Sequence, residues 1–302
     1  MKFIYKKEKK ERLDKFLSKE LIGISRSQIK KLIINKQVLV NNKETSVHHW
    51  LKKNNKIVCN INKEEKKIRK SNINPKIIFE NENYIIINKP SGILVHPTNK
   101  EENNTIANWL LEKFPNLIKV GDNPIRPGIV HRLDKEVSGL MIIALNQKYF
   151  NLLKKQFQNR SIKKEYTALI YGKLINNNGE IKTPLERDKK TGLMKAQTVK
   201  ETGKEAYTIY EVIKKYINYT LVKVQIKTGR MHQIRAHFYS IGHAVVGDKL
   251  YKTKDIRKKK KILSNRIFLH ADFLSFKDHQ NNIQKYILSL PKELKEILKN
   301  IK

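Results

Sequence analysis

The sequence predicts an α+β protein in two units, a small module over residues 1–60 and a larger domain over 75–302, joined by a basic linker over 61–74. Three observations carry that expectation. Apolar residues recur at helical spacing over Arg12–Asn35 and then give way to short strand-like runs. The stretch NINKEEKKIRKSNINP (Asn60–Pro75) is polar, charged and aperiodic, as a tether is. Strand-like pieces resume immediately after Pro75.

Taken in order, RLDKFLSKEL (Arg12–Leu21) places Leu13, Phe16, Leu17 and Leu21 on one helical face. Ser25 is positioned to cap a second helix, SRSQIKKLIIN, whose Ile29, Leu32 and Ile33 share a face opposite Arg26, Lys30 and Lys31. QVLVNNK reads as a strand running into an Asn-Asn turn, and KIVCNIN as a further strand. In the larger unit, Lys76–Glu80 and Tyr84–Asn88 flank a turn, and NKPSG interrupts the chain. PGIVHRLDKEVSGLMIIAL (Pro127–Leu145) sets a polar turn between two apolar runs. YTALIY and YTLVKVQI alternate as strands do, KDIRKKKK (Lys254–Lys261) reads as an exposed loop, and PKELKEILKNIK as a terminal helix.

The charge is unusual. Lys+Arg number 64 against 28 Asp+Glu, a formal net charge of +36 over 302 residues. A polyanion is the natural partner, because neutralised phosphates release condensed counterions. Lys, Asn and Ile are also spelled with A/T-rich codons, so composition alone suits either an RNA partner or a biased genome. A single cysteine, Cys59, excludes an internal disulfide and a cysteine-built metal cage. The start lacks an apolar signal core, and no apolar run approaches the roughly 18 residues of a membrane span. The expectation is a soluble, cytoplasmic protein without a membrane partner.

Two clusters concentrate chemistry. Asp134 stands beside Arg132 and Lys135 at the edge of an apolar run, where a carboxylate needs pairing. KTGRMHQIRAHF (Lys227–Phe238) crowds Arg230, His232, Gln233, Arg235 and His237 at a strand-to-helix junction. Four of the 11 arginines, Arg126, Arg132, Arg230 and Arg235, fall in these two stretches, which points to bidentate geometry that lysine lacks. His232 and His237 are five residues apart, spread around a helix with no Cys or carboxylate alongside, so no metal is expected. Tyr166, after a basic approach, is either an ordinary strand tyrosine or a ring for stacking on a base.

RPGIVHRLDKEVSGLMIIA resembles the signature of the RluA/RluD family of RNA pseudouridine synthases, and INKPSGILVHP, KKEYTALIYG, KTGRMHQIRAHF and GHAVVGDKLY match the family's other blocks in order. SRSQIKKLIINKQVLVNNK resembles the S4 RNA-binding domain. The resemblance implies a mixed, largely antiparallel central sheet of the pseudouridine synthase fold with flanking helices, preceded by a small α+β S4 domain. It implies isomerisation of uridine in RNA without a cofactor. By resemblance Asp134 is the catalytic carboxylate, Arg230 the arginine paired with it, and Tyr166 the ring packed on the target uracil. Arg132 matches the residue that fills the vacated stack. His131, Lys89 and Arg235 are expected to contact the substrate, and Arg26, Lys30 and Lys31 to contact RNA. Glu136-Val137 and Met231 depart from the usual pattern without touching a residue with an assigned role.

The likeness is strongest to the RluD type, which implies 23S-type ribosomal RNA, free or within a pre-ribosomal particle, as partner of a monomer. Rival readings are a synthase acting on transfer RNA, a non-catalytic ribosome-assembly factor, and a nucleoside-cleaving glycosidase. The second requires damage at the Asp, Tyr or Arg positions, and none is seen. The third requires a second carboxylate across the bond, for which Glu136 is the only acidic neighbour in the motif.

Overall fold

The computed structural model describes residues 1–21, 24, 26–60, 71–98, 103–197, 203–253 and 264–302. The expected cap at Ser25, most of the linker and the Lys254–Lys261 cluster lie outside these residues.

The N-terminal unit runs β1 (Lys2–Ile4), β2 (Glu11–Arg12), α1 (Leu13–Glu20), α2 (Arg26–Ile34), β3 (Val38–Val40), β4 (Lys43–Glu44), β5 (Trp50–Leu51) and β6 (Lys56–Cys59). A four-stranded sheet in the order β1-β6-β3-β4 meets the two helices over a core of Tyr5, Leu13, Phe16, Leu17, Ile29, Ile33, Val38, Val40, Leu51, Ile57 and Cys59. The helical spacing read from the sequence therefore buries the face it selects. Asn41 and Asn42 take φ of 51° and 63° and close β3 onto β4. Asparagine tolerates this left-handed backbone, so the Asn-Asn pair specifies the tight hairpin.

The larger unit has its own core. Its strands are β7 (Lys76–Glu80), β8 (Tyr84–Lys89), β9 (Ser138–Ala144), β10 (Lys163–Tyr171), β11 (Asn178–Ile181), β12 (Leu185–Arg187), β13 (Met194–Ala196), β14 (Thr208–Lys215), β15 (Tyr219–Ile226), β16 (Leu269–Lys277) and β17 (Ile283–Ile287). Its helices are α3 (Ile106–Lys113), α4 (Gln147–Gln158), α5 (Gln233–Ser240) and α6 (Lys292–Lys299), with a 3-10 turn over Pro115–Lys119. Side chains of Thr105 and Asn146 cap α3 and α4 by accepting the Asn108 and Tyr149 N–H groups.

Nine strands form one sheet in the order β11-β14-β15-β10-β16-β9-β8-β7, with β17 on β16 beside that path. Each strand pair of this sheet is antiparallel except β9–β16, which is parallel through His270↔Ser138 and Ala271↔Gly139. The sheet is thus mixed and largely antiparallel. Every residue of β9 is buried, and β8 beside it buries Ile85, Ile86 and Ile87. At roughly 1.5–3 kcal/mol for each fully buried aliphatic chain, this pair makes a rigid centre for whatever hangs from its ends. At the N-terminal end of β9 hangs the loop containing Asp134.

Candidate active site

The loop is built from its backbone outward. Gly128, at φ +65°, brings the chain against β9 so closely that a Cβ there would stand 2.2 Å from the Ala144 carbonyl oxygen. Ile129 then bridges to Ile143. His131 continues the pairing with its side chain, because Nε2 accepts the Ile142 N–H at 3.1 Å while the ring stacks on Phe157 at 4.8 Å. Burial, reinforced by the Lys164 cation, pushes this imidazole down to about 3, so it is the neutral acceptor that Ile142 requires.

On the far side of Asp134 the loop is fixed by the NKPSG turn. The Lys89 ammonium is fully buried and donates to the carbonyls of Pro90 (2.8 Å), Ile93 (2.7 Å) and Lys135 (3.0 Å). Gly92 N–H also reaches the Lys135 carbonyl, and Ser91 Oγ donates to that of Glu136 at 2.6 Å. Leu133 and Val137 are buried on either side. Asp134 is what remains open, its side chain 18% exposed.

Two groups face it, both toward Oδ2. Arg235 Nη1 stands at 3.5 Å and His232 Nε2 at 3.9 Å. Arg235 leaves the first turn of α5 and is gripped by Asp248, Nε to Oδ2 at 2.6 Å and Nη2 to Oδ1 at 2.8 Å. Asp248 Oδ1 in turn accepts the N–H groups of Leu250 and Tyr251, and the Tyr251 ring lies 5.2 Å from the guanidinium. An arginine held bidentately by a buried carboxylate cannot swing, so the direction of its remaining N–H is set before any ligand arrives.

Gln233 fastens the other side of the junction. Its Oε1 accepts from Thr228 Oγ1 and Arg230 N, and its Nε2 donates to Tyr207 O and Thr208 Oγ1. His237 is consumed by Thr208 Oγ1 at 2.8 Å and Thr183 O at 2.9 Å.

These elements surround a cavity of about 580 Å³, within the range of roughly 300–1,000 Å³ usual for small-molecule sites. Tyr166, on β10 and 6% exposed, lines it together with Asp134, Ile162, Ile226 and Leu269. Burial, then the Asp134 and Asp272 carboxylates, raise the phenol far above its ordinary value, so it stays protonated at neutral pH. Arg126, Arg132, Arg160, Lys227 and Arg230 ring the cavity with positive charge. Arg132 is exposed and carries no hydrogen bond or salt bridge to a described residue.

Several expectations need correction. Arg230 does not pair with Asp134: its Nε donates to the Glu205 carbonyl at 2.9 Å, and the arginine facing Asp134 is Arg235. Arg230 precedes α5 in the turn, whereas Arg235 sits in the helix's first turn, where Asp248 can seize it. Lys89 and His131, expected at the substrate, have main-chain partners here: the first donates to three carbonyls and the second accepts a backbone N–H, while His131 also lines the cavity. In the N-terminal unit Lys30 is half-buried and Lys31 exposed on α2. Arg26 and Arg12 both bind the fully buried Asp14 carboxylate, at 2.8 and 3.0 Å, so Arg26 presents only part of its guanidinium to solvent. Asp248 and Tyr251 were not anticipated at the site, and His232 was placed in its cluster without a role. The signal for the first two was GDKLY, whose acidic residue had no assigned partner.

The family matches define an RNA-modifying enzyme of one class. Residues 83–240 match the RNA pseudouridylate synthase family, residues 11–46 match the S4 domain, and the chain belongs to the RNA pseudouridine synthase family. It is 41% identical over 258 residues to an uncharacterized RNA pseudouridine synthase of Aquifex aeolicus (strain VF5), covering 84% of this chain and 81% of that protein. It is 35% identical to ribosomal large subunit pseudouridine synthase D of Blochmanniella floridana, covering 96% and 94%. In fold it matches human RNA pseudouridylate synthase domain containing 1, with TM-score 0.58 and 22% identity over 77% of this chain and 97% of that one. Its activity is the isomerisation of uridine to pseudouridine in RNA. No described helix is long and apolar enough to cross a membrane.

Proposed function

We propose that the chain converts a uridine of large-subunit ribosomal RNA to pseudouridine. On this reading Asp134 is the carboxylate beside the ribose, Tyr166 the ring packed on the uracil, and Arg235 the cation that orients Asp134. The observation that carries the reading is the asymmetry of the Asp134 carboxylate: Oδ2 faces Arg235 and His232, while no described residue bonds to Oδ1. The ribosomal substrate is supported by relatives named ribosomal large subunit pseudouridine synthase D at 34–36% identity over nearly the whole chain, and by the match to an S4 domain. We infer an S4 domain over 1–60, a linker over 61–74 and a catalytic domain over 75–302, acting as a cytoplasmic monomer on free RNA or a pre-ribosomal particle.

The chemistry is self-contained. The C1′–N1 bond breaks, C1′–C5 forms, C5 loses a proton and N1 takes one, so atoms balance without a co-substrate. A carboxylate at the ribose answers the positive charge that develops at C1′. Its arginine partner, itself gripped by Asp248, keeps it aimed. A stacked uridine must first leave its neighbours, at a few kcal/mol. Arg132, exposed at the mouth and unengaged, suits the space the base vacates. The neutral Tyr166 phenol offers a ring face and a proton donor, not a phenolate.

The test is tritium release from large-subunit ribosomal RNA transcribed with uridine labelled at C5. Wild type should release tritium and Asp134→Asn should not, with RNA affinity nearly unchanged. Turnover by a folded Asp134→Asn protein defeats the assignment. Tight binding without release by wild type points to transfer RNA as the next substrate to assay.

A further inference from the structure

His232 has a conformation the foregoing reading does not use. It precedes α5 with a left-handed backbone, φ 52° and ψ 21°. For a residue with a Cβ this region is sparsely populated, and such strain persists only where the surroundings impose it. What it secures here is the placement of the ring. Nδ1 stands 3.2 Å from Tyr251 Oη, Nε2 stands 3.9 Å from Asp134 Oδ2, and the imidazole meets the Tyr251 ring edge-on at 90°.

The hydrogen-bond accounting of Tyr251 fixes the proton on that ring. Tyr251 is 3% exposed, and its Oη accepts the Met194 N–H at 2.9 Å. A buried hydroxyl must also place its own proton, and the acceptor at hand among the described residues is His232 Nδ1. The imidazole proton therefore sits on Nε2, the nitrogen that faces the carboxylate. Burial lowers the imidazole pKa, as do the Arg235 and Arg132 cations, while the Asp134 and Asp248 carboxylates act against them; the net shift is downward and the ring is neutral at pH 7. Burial pushes the Tyr251 phenol up to about 12, so its proton is retained.

We propose that His232 is a positioning residue for the reaction: Tyr251 sets its tautomer, and Nε2–H holds Oδ2 of Asp134 so that Oδ1 is the oxygen presented to the ribose. The proposal rests on Asp134 being the reactive carboxylate. Arg235 and His232 then act as two fixed donors on one oxygen, which restricts rotation of the carboxylate where a single donor would leave it free to turn. At 3.5 and 3.9 Å from these donors, Oδ2 is the atom that settles against them when substrate fills the cavity, as catalytic hydrogen bonds often tighten on binding.

Two measurements test it. The first is two-bond proton–nitrogen correlation on protein labelled with nitrogen-15 in histidine, assigned by loss of the signal in His232→Asn. Wild type should show an unprotonated Nδ1 and a protonated Nε2, and Tyr251→Phe should show a mixture. The second is single-turnover tritium release at saturating RNA. Tyr251→Phe, which keeps the ring under Arg235, and His232→Asn, which tolerates the left-handed backbone, should each slow the reaction about 10- to 100-fold, the loss expected when a reacting group is slightly misplaced. Their RNA affinity should stay within about twofold, and the double variant should be no slower than the worse single one, since the two residues act as a unit.

A proton on Nδ1 in wild type, or a wild-type rate for Tyr251→Phe beside an inactive Asp134→Asn, overturns this proposal alone. Turnover by Asp134→Asn removes the reactive carboxylate and the proposal with it. If His232→Asn fails to fold, Tyr251→Phe decides by itself.

Discussion

Replacing Lys89 with methionine keeps the volume and removes a buried ammonium. Burial pulls that ammonium from an ordinary 10.5 down to about 7, against the opposing pull of Asp134 and Glu136. Between those two values the unfolded chain binds a proton that the folded chain does not, so native stability rises with pH across the window and is lowest below it. The gap from 10.5 to about 7, at about 1.4 kcal/mol per tenfold, comes to about 5 kcal/mol over the whole window. Between pH 6.5 and 9.5 about 3 kcal/mol of it is realised. The methionine variant lacks this gain but suffers a loss independent of pH, because the Pro90 and Ile93 carbonyls lose their donor while that of Lys135 keeps Gly92 N–H. Orphaned carbonyls cost about 1–3 kcal/mol each. Melts followed by Trp109, buried in the larger unit, should therefore show wild type gaining on Lys89→Met by about 6–12 °C as pH rises from 6.5 to 9.5. An unchanged gap at the two pH values would mean that the three carbonyls keep Lys89 charged throughout, and the desolvation argument would fail.

Arg235→Lys removes both the bidentate grip of Asp248 and the contact with Asp134; single-turnover rates should fall about 100-fold with RNA affinity little changed. Gly128→Ala should lower the melting temperature sharply, since the new Cβ meets the Ala144 carbonyl at 2.2 Å on a φ of +65°. Intact stability would mean that the segment can leave β9. Changing Arg26, Lys30 and Lys31 together to Gln should reduce the slope of log affinity against log salt for ribosomal RNA by about 2–3 if each meets a phosphate. An identical slope would reduce α2 to a solubilising face.

The sequence disclosed the fold where period and burial coincide. Leu13, Phe16 and Leu17 lie at helical spacing and are buried, and the apolar run after HRLD is the fully buried β9. It disclosed the two clusters that meet at one cavity but not the bonding within them. In a block as dense as GRMHQIRAH, spacing cannot say which of two arginines turns toward a carboxylate a hundred residues away. That is decided by Asp248, a third residue whose own partner is invisible in one dimension.

The main-chain partners of Lys89 and His131 share a cause. Lys89 and His131 stand in blocks rich in polar residues, and a polar residue in an apolar neighbourhood invites a chemical role. The structure gives both to the main chain: three carbonyls for Lys89 and one N–H for His131, each at a point where the loop departs from regular pairing and leaves backbone groups unmet. A loop that projects a carboxylate from the end of a buried strand must break the ladder to do so, and every broken rung needs a side-chain partner. The polar residues around an active-site loop therefore divide by what they satisfy. Lys89 and His131 complete the backbone, Asp248 and Gln233 tie side chains to main chain, and Asp134 Oδ1 and Arg132 are left over. On the proposed reading the substrate meets this remainder, which only a full accounting of donors and acceptors isolates.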